Sequence, residues 1–311
     1  MKGQLKILKK EKEGLGLESK SMKKISLIAG ETASLPKEIV EKYRITVVPY
    51  VVDWRDGENL KGENIFQKMR NADKLGIKSL PKTSQPSPWT YKKFFEEELK
   101  KSEKIICITL SSKLSGGYNS ALKAREMIEE GKERIFILDS FNVTIGEGLI
   151  VYQMAELIEK EKDIKKILEK FEEIKNNTHL IGMVASPKWL EAGGRISHSF
   201  SVLLSQMQKL GMRPLIGVRD GEVKAVALKM RAKDVPSALF NQFKKEIEKK
   251  GGEIKVAIGH ADNLKEAEKL KELISQNLKN VEVLFLGLID PVIGVHVGPG
   301  TIGLAWTFDL S

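Results

Sequence analysis

Cysteine is almost missing from this sequence. Cys107 is the only one among 311 residues, so no internal disulfide can form, and no Cys/His spacing fits a zinc site. It lies in the apolar run Ile105-Ile106-Cys107-Ile108, where a thiol reads as a small buried hydrophobe. An oxidising compartment is not implied, and the expected location is the cytoplasm. Histidine is scarce (four residues), and aromatics make up only 6%. Uninterrupted apolar stretches are also lacking. The richest, Val281 to Trp306, is broken by Glu282, Asp290-Pro291, His296 and Gly298-Pro299-Gly300, which suits short buried strands and not a membrane-spanning helix.

Several nucleotide and hydrolase signatures are missing as well. No Gly-x4-Gly-Lys-Ser/Thr order is present, which argues against a nucleoside triphosphate site. Gly146-Glu147-Gly148 lacks the third glycine of a dinucleotide fingerprint. No Gly-x-Ser-x-Gly elbow holds a nucleophilic serine. Ser-x-x-Lys matches such as Ser79–Lys82 and Ser21–Lys24 are expected by chance where lysine is so common.

Charge is plentiful, with a formal net of +10, but its distribution does not describe a nucleic-acid surface. Residues 1–24 hold eight lysines and three glutamates, half of the excess. Elsewhere Lys and Glu alternate along 163–175 and 242–250, a solvated-face pattern with no aromatics interleaved for stacking. Nucleic acid is therefore not an expected partner. The N-terminus has no continuous apolar segment of the signal-peptide kind. Met22-Lys-Lys-Ile-Ser-Leu-Ile reads as the approach to a first strand, so 1–22 are expected to be a flexible basic extension.

The first half alternates short apolar runs with helical patterns: Ile25–Ala29, a helix from Pro36 to about Tyr43, Ile45–Val52 and Ile105–Leu110. A helix from about Ser115 to Glu130, the run Arg134–Leu138 and a helix from about Gly146 follow. That order predicts a largely parallel sheet with helices on its faces. Asp163 is placed to cap an amphipathic helix carrying Ile164, Ile167, Leu168, Phe171 and Ile174 on one face. Beyond it the pattern changes. Arg213–Val218 and Glu222–Leu228 flank a turn at Arg219-Asp220-Gly221. Helices are expected from Asp234 and from Asn263, where Asn263-Leu264-Lys265-Glu266 resembles a capping box. Ile254–Ile258, Val281–Gly287, Val292–Val297 and Ile302–Phe308 are expected as strands. The chain thus divides into an N-terminal α/β domain over 23–170 and a smaller α+β C-terminal domain over 171–311.

Polar clusters sit where open α/β sheets bind ligands, at strand ends and helix starts. Lys82-Thr83-Ser84-Gln85-Pro86-Ser87-Pro88 offers hydroxyls on a proline-stiffened loop, and equally reads as a cap for the helix near Trp89. Ser111-Ser112-Lys113-Leu114-Ser115-Gly116-Gly117-Tyr118 leaves a buried strand and enters a helix. Its N–H groups and hydroxyls can converge on an anion, or a serine there can simply cap the helix. Ile293-Gly294-Val295-His296-Val297-Gly298-Pro299-Gly300 places a histidine before a glycine-rich turn. Glu191-Ala192-Gly193-Gly194-Arg195-Ile196 reads on its own as a helix C-terminus with a solvent-facing arginine.

The order of these segments carries more than any one of them. Together with Asp139-Ser140, Thr144 and Gly146-Glu147-Gly148-Leu149, they resemble the successive signature segments of the DegV family, from about Lys24 to Phe308. The resemblance implies a Rossmann-like parallel-sheet N-terminal domain, a smaller α+β C-terminal domain and an apolar tunnel between them for a long-chain fatty acid. It places the carboxylate among Thr83, Ser84, Ser115, Gly116 and His296. It implies a dihydroxyacetone-kinase-like fatty-acid kinase as partner, with Arg195 and Arg231 as docking residues, and neither a catalytic residue nor a cofactor or metal in this chain. Two segments depart from the family pattern. Ala29-Gly30-Glu31-Thr32 stands where Thr-Asp-Ser-Thr is usual, and Leu114-Ser115-Gly116-Gly117 lacks the usual threonine hydroxyl. A lone lipid hydrolase or phosphotransferase using Ser115 and His296 is the alternative, and a regulatory protein without lipid is a third reading.

Overall fold

A computed structural model describes residues 23–229, 234–248 and 252–308. The expected extension over 1–22, and Arg231, lie outside these residues. Strands β1 (Lys23–Gly30), β2 (Thr46–Val48), β5 (Ser102–Thr109) and β6 (Ile135–Asp139) form a parallel sheet in the order β2–β1–β5–β6. A two-stranded antiparallel ribbon, β3 (Val51–Asp53) and β4 (Lys82–Ser84), stands apart from it. The first helices are α1 (Lys37–Tyr43), α2 (Ile65–Lys74), α3 (Pro88–Leu99), α4 (Gly117–Glu126), α5 (Thr144–Lys160) and α6 (Ile164–Asn177).

A six-stranded mixed sheet follows, made of β7 (Thr178–Met183), β8 (Arg213–Arg219), β9 (Glu222–Lys229), β10 (Ile254–His260), β11 (Val281–Leu288) and β12 (Ile302–Phe308). Its order is β11–β10–β12–β7–β8–β9. Helices α7 (Lys188–Ala192), α8 (His198–Lys209), α9 (Val235–Ile247), α10 (Leu264–Asn277) and α11 (Pro291–Val297) accompany it. The expected parallel sheet and separate sheet-rich C-terminal region are both present.

The parallel sheet is buried on both faces, as crossover helices require. Ile25, Leu27, Ile106 and Ile108 face α5 and α6, while Ile28, Ile105 and Cys107 face α3 and α4. Helix α5 belongs to both sheets. Its Ile150, Val151 and Met154 pack on the parallel sheet, and its Ile145 and Leu149 pack on Leu180, Ala257 and Ala305 of the mixed one. A helix that is apolar nearly all round is one buried from every side, and twelve of its residues are buried.

The mixed sheet makes room for α5 by omitting side chains. Strand register sets Gly287, Gly259, Gly303 and Gly182 next to one another across β11, β10, β12 and β7. A Cβ at Gly259 would stand 2.8 Å from Ile145 and 3.0 Å from Ile289.

Three local expectations are corrected. Val292–Val297 is helical, not a strand: Asp290 caps α11 by accepting from Val292 N, and Pro291 opens its first turn. The apolar run there is too short for its period to separate helix from strand. Ile45–Val52 is two strands in different sheets, because Pro49 has no N–H for the ladder. Asn263 stands at the start of α10, but its side chain donates to Gly300 O instead of capping. Asp163 and Asp234 cap α6 and α9 as expected.

Replacing Gly259 with valine should push α5 off the sheet and cost about 1–3 kcal/mol in urea unfolding. Gly287→Ala, where a Cβ meets nothing within 4 Å, should be close to neutral. Equal effects would contradict this reading of the glycine row.

Candidate functional site

A cavity lies where the loops leaving β1 and β5, the start of α5 and the α5-facing side of the mixed sheet meet. One group of lining residues is polar: Thr32, Tyr50, Thr83, Gln85, Ser115, Arg195 and His296. Much of the rest is apolar, including Leu180, Val184, Leu190, Ile216, Val218 and Val223, with bare backbone at Gly182 and Gly303.

The centre of the polar group is a bond between distant parts of the chain. Thr83 Oγ1 on β4 and His296 Nε2 on α11 are 2.7 Å apart. His296 is buried, and the Gly-Gly-Arg segment explains how it fits. A Cβ on Gly193 would run into His296 Nδ1, so the residue after α7 must be bare. Gly194 then takes a left-handed backbone (φ +72°), which favours glycine. Arg195 follows and lies half-buried in the cavity wall, its guanidinium donating to Gly193 O. Arg195 is the one Lys or Arg among the described lining residues.

Burial holds His296 down to about 4, with the nearby Arg195 charge adding to the effect. The imidazole is therefore neutral at neutral pH and exchanges a hydrogen bond with Thr83 without adding charge. Carboxyls close to the head of the cavity move the other way. Burial raises Asp290 to about 7, opposed by the Val292 N–H and assisted by Glu31. Glu147 is wholly buried on α5 and held well above the carboxylate range by burial, against a 3.2 Å hydrogen bond from Thr32 Oγ1. Glu31 is raised by burial while accepting from Tyr50 N. Thr32 and Glu31 thus carry the contacts in the unusual Ala-Gly-Glu-Thr segment.

The structure brings Thr83, Ser115 and His296, and with them Arg195, to one cavity. Ser84 is exposed and lies outside the lining, since alternation along β4 turns it away from Thr83. Gly116 is the residue before α4, and a Cβ there would come within 2.9 Å of Gln85 Nε2. Both readings of the Lys82–Pro88 loop hold together: Thr83 and Gln85 line the cavity, while Ser87 Oγ caps α3 by accepting from Thr90 N. Tyr50, Gln85 and the glycine row were missed. The break at Pro49-Tyr50 between two β-branched runs was the one local signal for Tyr50.

The family model described as "Uncharacterised protein, DegV family" matches residues 24–309. The chain belongs to the DegV family. A DegV domain-containing protein of Clostridium acetobutylicum is 33% identical over 287 residues, 91% of this chain and 98% of the relative. Among solved structures, DegV of Bacillus subtilis, described as a fatty acid binding protein, superposes with a TM-score of 0.75 at 26% identity. That match covers 93% of this DegV chain and 100% of the other. A stearic-acid-binding protein of Eubacterium ventriosum gives a TM-score of 0.78 at 25% identity, covering 91% and 98%. No helix among the described residues is long and apolar enough to cross a membrane.

The neutral state of His296 makes a pH prediction. Its pKa is about 6.5 in an unfolded chain and about 4 in the folded one. Between those values the unfolded chain binds a proton that the folded protein refuses, so stability falls as pH drops from about 6.5 toward 4. The full difference is about 3 kcal/mol. Urea unfolding at pH 7 and 4.5 should show the wild type losing roughly 2–3 kcal/mol more than His296→Gln. Parallel losses would mean that His296 does not stay neutral.

Proposed function

We propose that this DegV protein binds one long-chain fatty acid in the cavity, with the carboxylate at Thr83, Ser115 and His296 and the tail along the apolar walls. The observation that carries this reading is the pairing of one polar lining group with extensive apolar walls in a single cavity. Fatty-acid binding by the Bacillus and Eubacterium proteins supports it. An acyl tail with about fourteen buried methylenes at roughly 0.8 kcal/mol each contributes on the order of 11 kcal/mol, reduced by several for ordering the chain. Arg195 supplies one positive charge toward the carboxylate.

The same arrangement suits presentation of the acid to a dihydroxyacetone-kinase-like partner that forms the acyl phosphate. Hydroxyls and a neutral imidazole hold a carboxylate oxygen without the bidentate clamp of an arginine, which would occupy both oxygens. The alternative, a hydrolase using Ser115 and His296, requires those two groups to be bonded to each other. His296 Nε2 is instead bonded to Thr83, and Ser115 Oγ accepts from Gly117 N at 3.2 Å.

Denaturing organic extraction of the purified protein, followed by mass spectrometry, should release close to one equivalent of a long-chain fatty acid. Alanine at Thr83, Ser115 and His296 should lower that yield. An empty extract, with no binding when fatty acid is added back, would overturn the carrier reading.

A further inference from the structure

The end of the parallel sheet away from the cavity carries a basic recess. Helices α1 and α5 both finish there, beside the start of β1. The recess is lined by Lys23 and Lys24 of β1, by Lys42 and Arg44 at the end of α1, and by Lys162 beyond α5. Glu159 is the one carboxylate among its described lining residues. Strand β1 spans eight residues between this recess and the loop that carries Thr32 into the cavity wall, about 25 Å along the strand.

Part of this charge answers to the fold, because carbonyls at helix C-termini attract cations. Lys23 Nζ donates to Arg44 O at 3.4 Å, and Lys162 Nζ donates to Ile158 O and Glu159 O. The rest is not neutralised. Lys24 pairs with Glu103, but Lys23, Lys42, Arg44 and Lys162 have no carboxylate partner among the described residues. Several other surface lysines are paired, among them Lys92 with Glu96, Lys170 with Glu173 and Lys224 with Asp220. Like charges gathered around one recess repel one another, and an anionic surface relieves that repulsion. The chain also reaches the recess from a segment of the same sign. Residues 1–10 hold four lysines and no carboxylate, with Leu5, Ile7 and Leu8 set among them. They precede residues 24–309, which match the family, so this charge lies outside the family pattern. Apolar residues among lysines suit a lipid interface, where hydrocarbon contact and headgroup attraction act together. A nucleic acid would require a stacking platform, and the aromatic residue of the recess, Tyr43, is half-buried with Lys42 Nζ 4.7 Å over its ring.

We propose that this end of the molecule is a peripheral docking surface for an anionic bilayer. Lys23, Lys42, Arg44 and Lys162 meet the lipid phosphates, and the lysine-rich segment before β1 adds charge and apolar contact. The molecule then stands on the foot of its parallel sheet, with the head of the cavity turned to the aqueous side. The inference does not depend on the carrier reading above.

The test is sedimentation of the full-length chain with vesicles. At low salt it should bind phosphatidylcholine vesicles containing phosphatidylglycerol at least about tenfold more tightly than phosphatidylcholine alone, and about 0.5 M salt should release it. Lys42→Gln/Arg44→Asn removes two basic contacts and should weaken binding about thirtyfold. Asparagine suits the left-handed backbone at Arg44 (φ +51°). Lys265→Gln/Lys271→Gln, with the same loss of charge at exposed positions of α10, should change binding by less than about threefold. Lys6→Gln/Lys9→Gln should weaken it as the recess pair does. Equal losses from the α10 pair and the recess pair would mean that net charge alone acts, and would overturn the proposal. Loss confined to the Lys6 and Lys9 variant, or no preference for anionic vesicles, would overturn it too. Binding of a DNA duplex that disappears in the recess pair, with none to vesicles, would assign the surface to nucleic acid instead and sink the bilayer reading.

Discussion

The hydrogen bond between Thr83 and His296 joins groups 213 residues apart, and most features of the site serve to make it possible. His296 rides on a seven-residue helix started by Asp290 and Pro291. Gly294 of that helix is bare where Phe66 of α2 packs on it, and Gly193 is bare where the imidazole lies. Thr83 is delivered by a two-stranded ribbon that belongs to neither main sheet. One neutral polar contact therefore fixes the ribbon against the mixed-sheet half, and the cavity opens beside it.

A second constraint is the room around α5. The helix is shared by two sheets, which approach it closely because the mixed sheet carries glycine where side chains would collide. The same omission leaves bare backbone at Gly182 and Gly303 in the cavity wall. Electrostatics at the head follow from this burial. Burial pushes Glu31, Glu147 and Asp290 toward their neutral forms and holds His296 neutral, and Arg195 is the one Lys or Arg among the described lining residues. A carboxylate ligand fits this balance better than a cationic one.

Much of the fold was legible because its signals are local. Strand-then-helix alternation marked the parallel sheet, and Asp163 and Asp234 announced their helices. Val292–Val297 was misread because a short apolar run has no decisive period, and the Asp-Pro start outweighed its β-branched content. Thr83, Ser115 and His296, which line one cavity, were named through segment order, since none stands out by composition. Arg195 was assigned to docking by the family resemblance, and its Gly-Gly-Arg ending alone reads as solvent-facing; the packing of Gly193 on His296 sets it in the cavity wall. Beyond the break at Pro49-Tyr50, neither the role of Tyr50 nor the glycine row could be read. Their significance lies in which strands become neighbours and in what stands opposite a missing Cβ, and neither is a property of a sequence window.

The central claim is that one cavity holds the acid head at the Thr83–His296 bond and its tail against the mixed sheet. A crystal structure of the protein loaded with ω-bromopalmitate tests this directly, because the bromine's anomalous signal marks the far end of the chain. The account predicts carboxylate density within hydrogen-bond distance of Thr83, Ser115 and His296, with bromine among the apolar walls near Ile216, Val218 and Val223. Bromine beside His296, or a ligand bound outside this cavity, would contradict it.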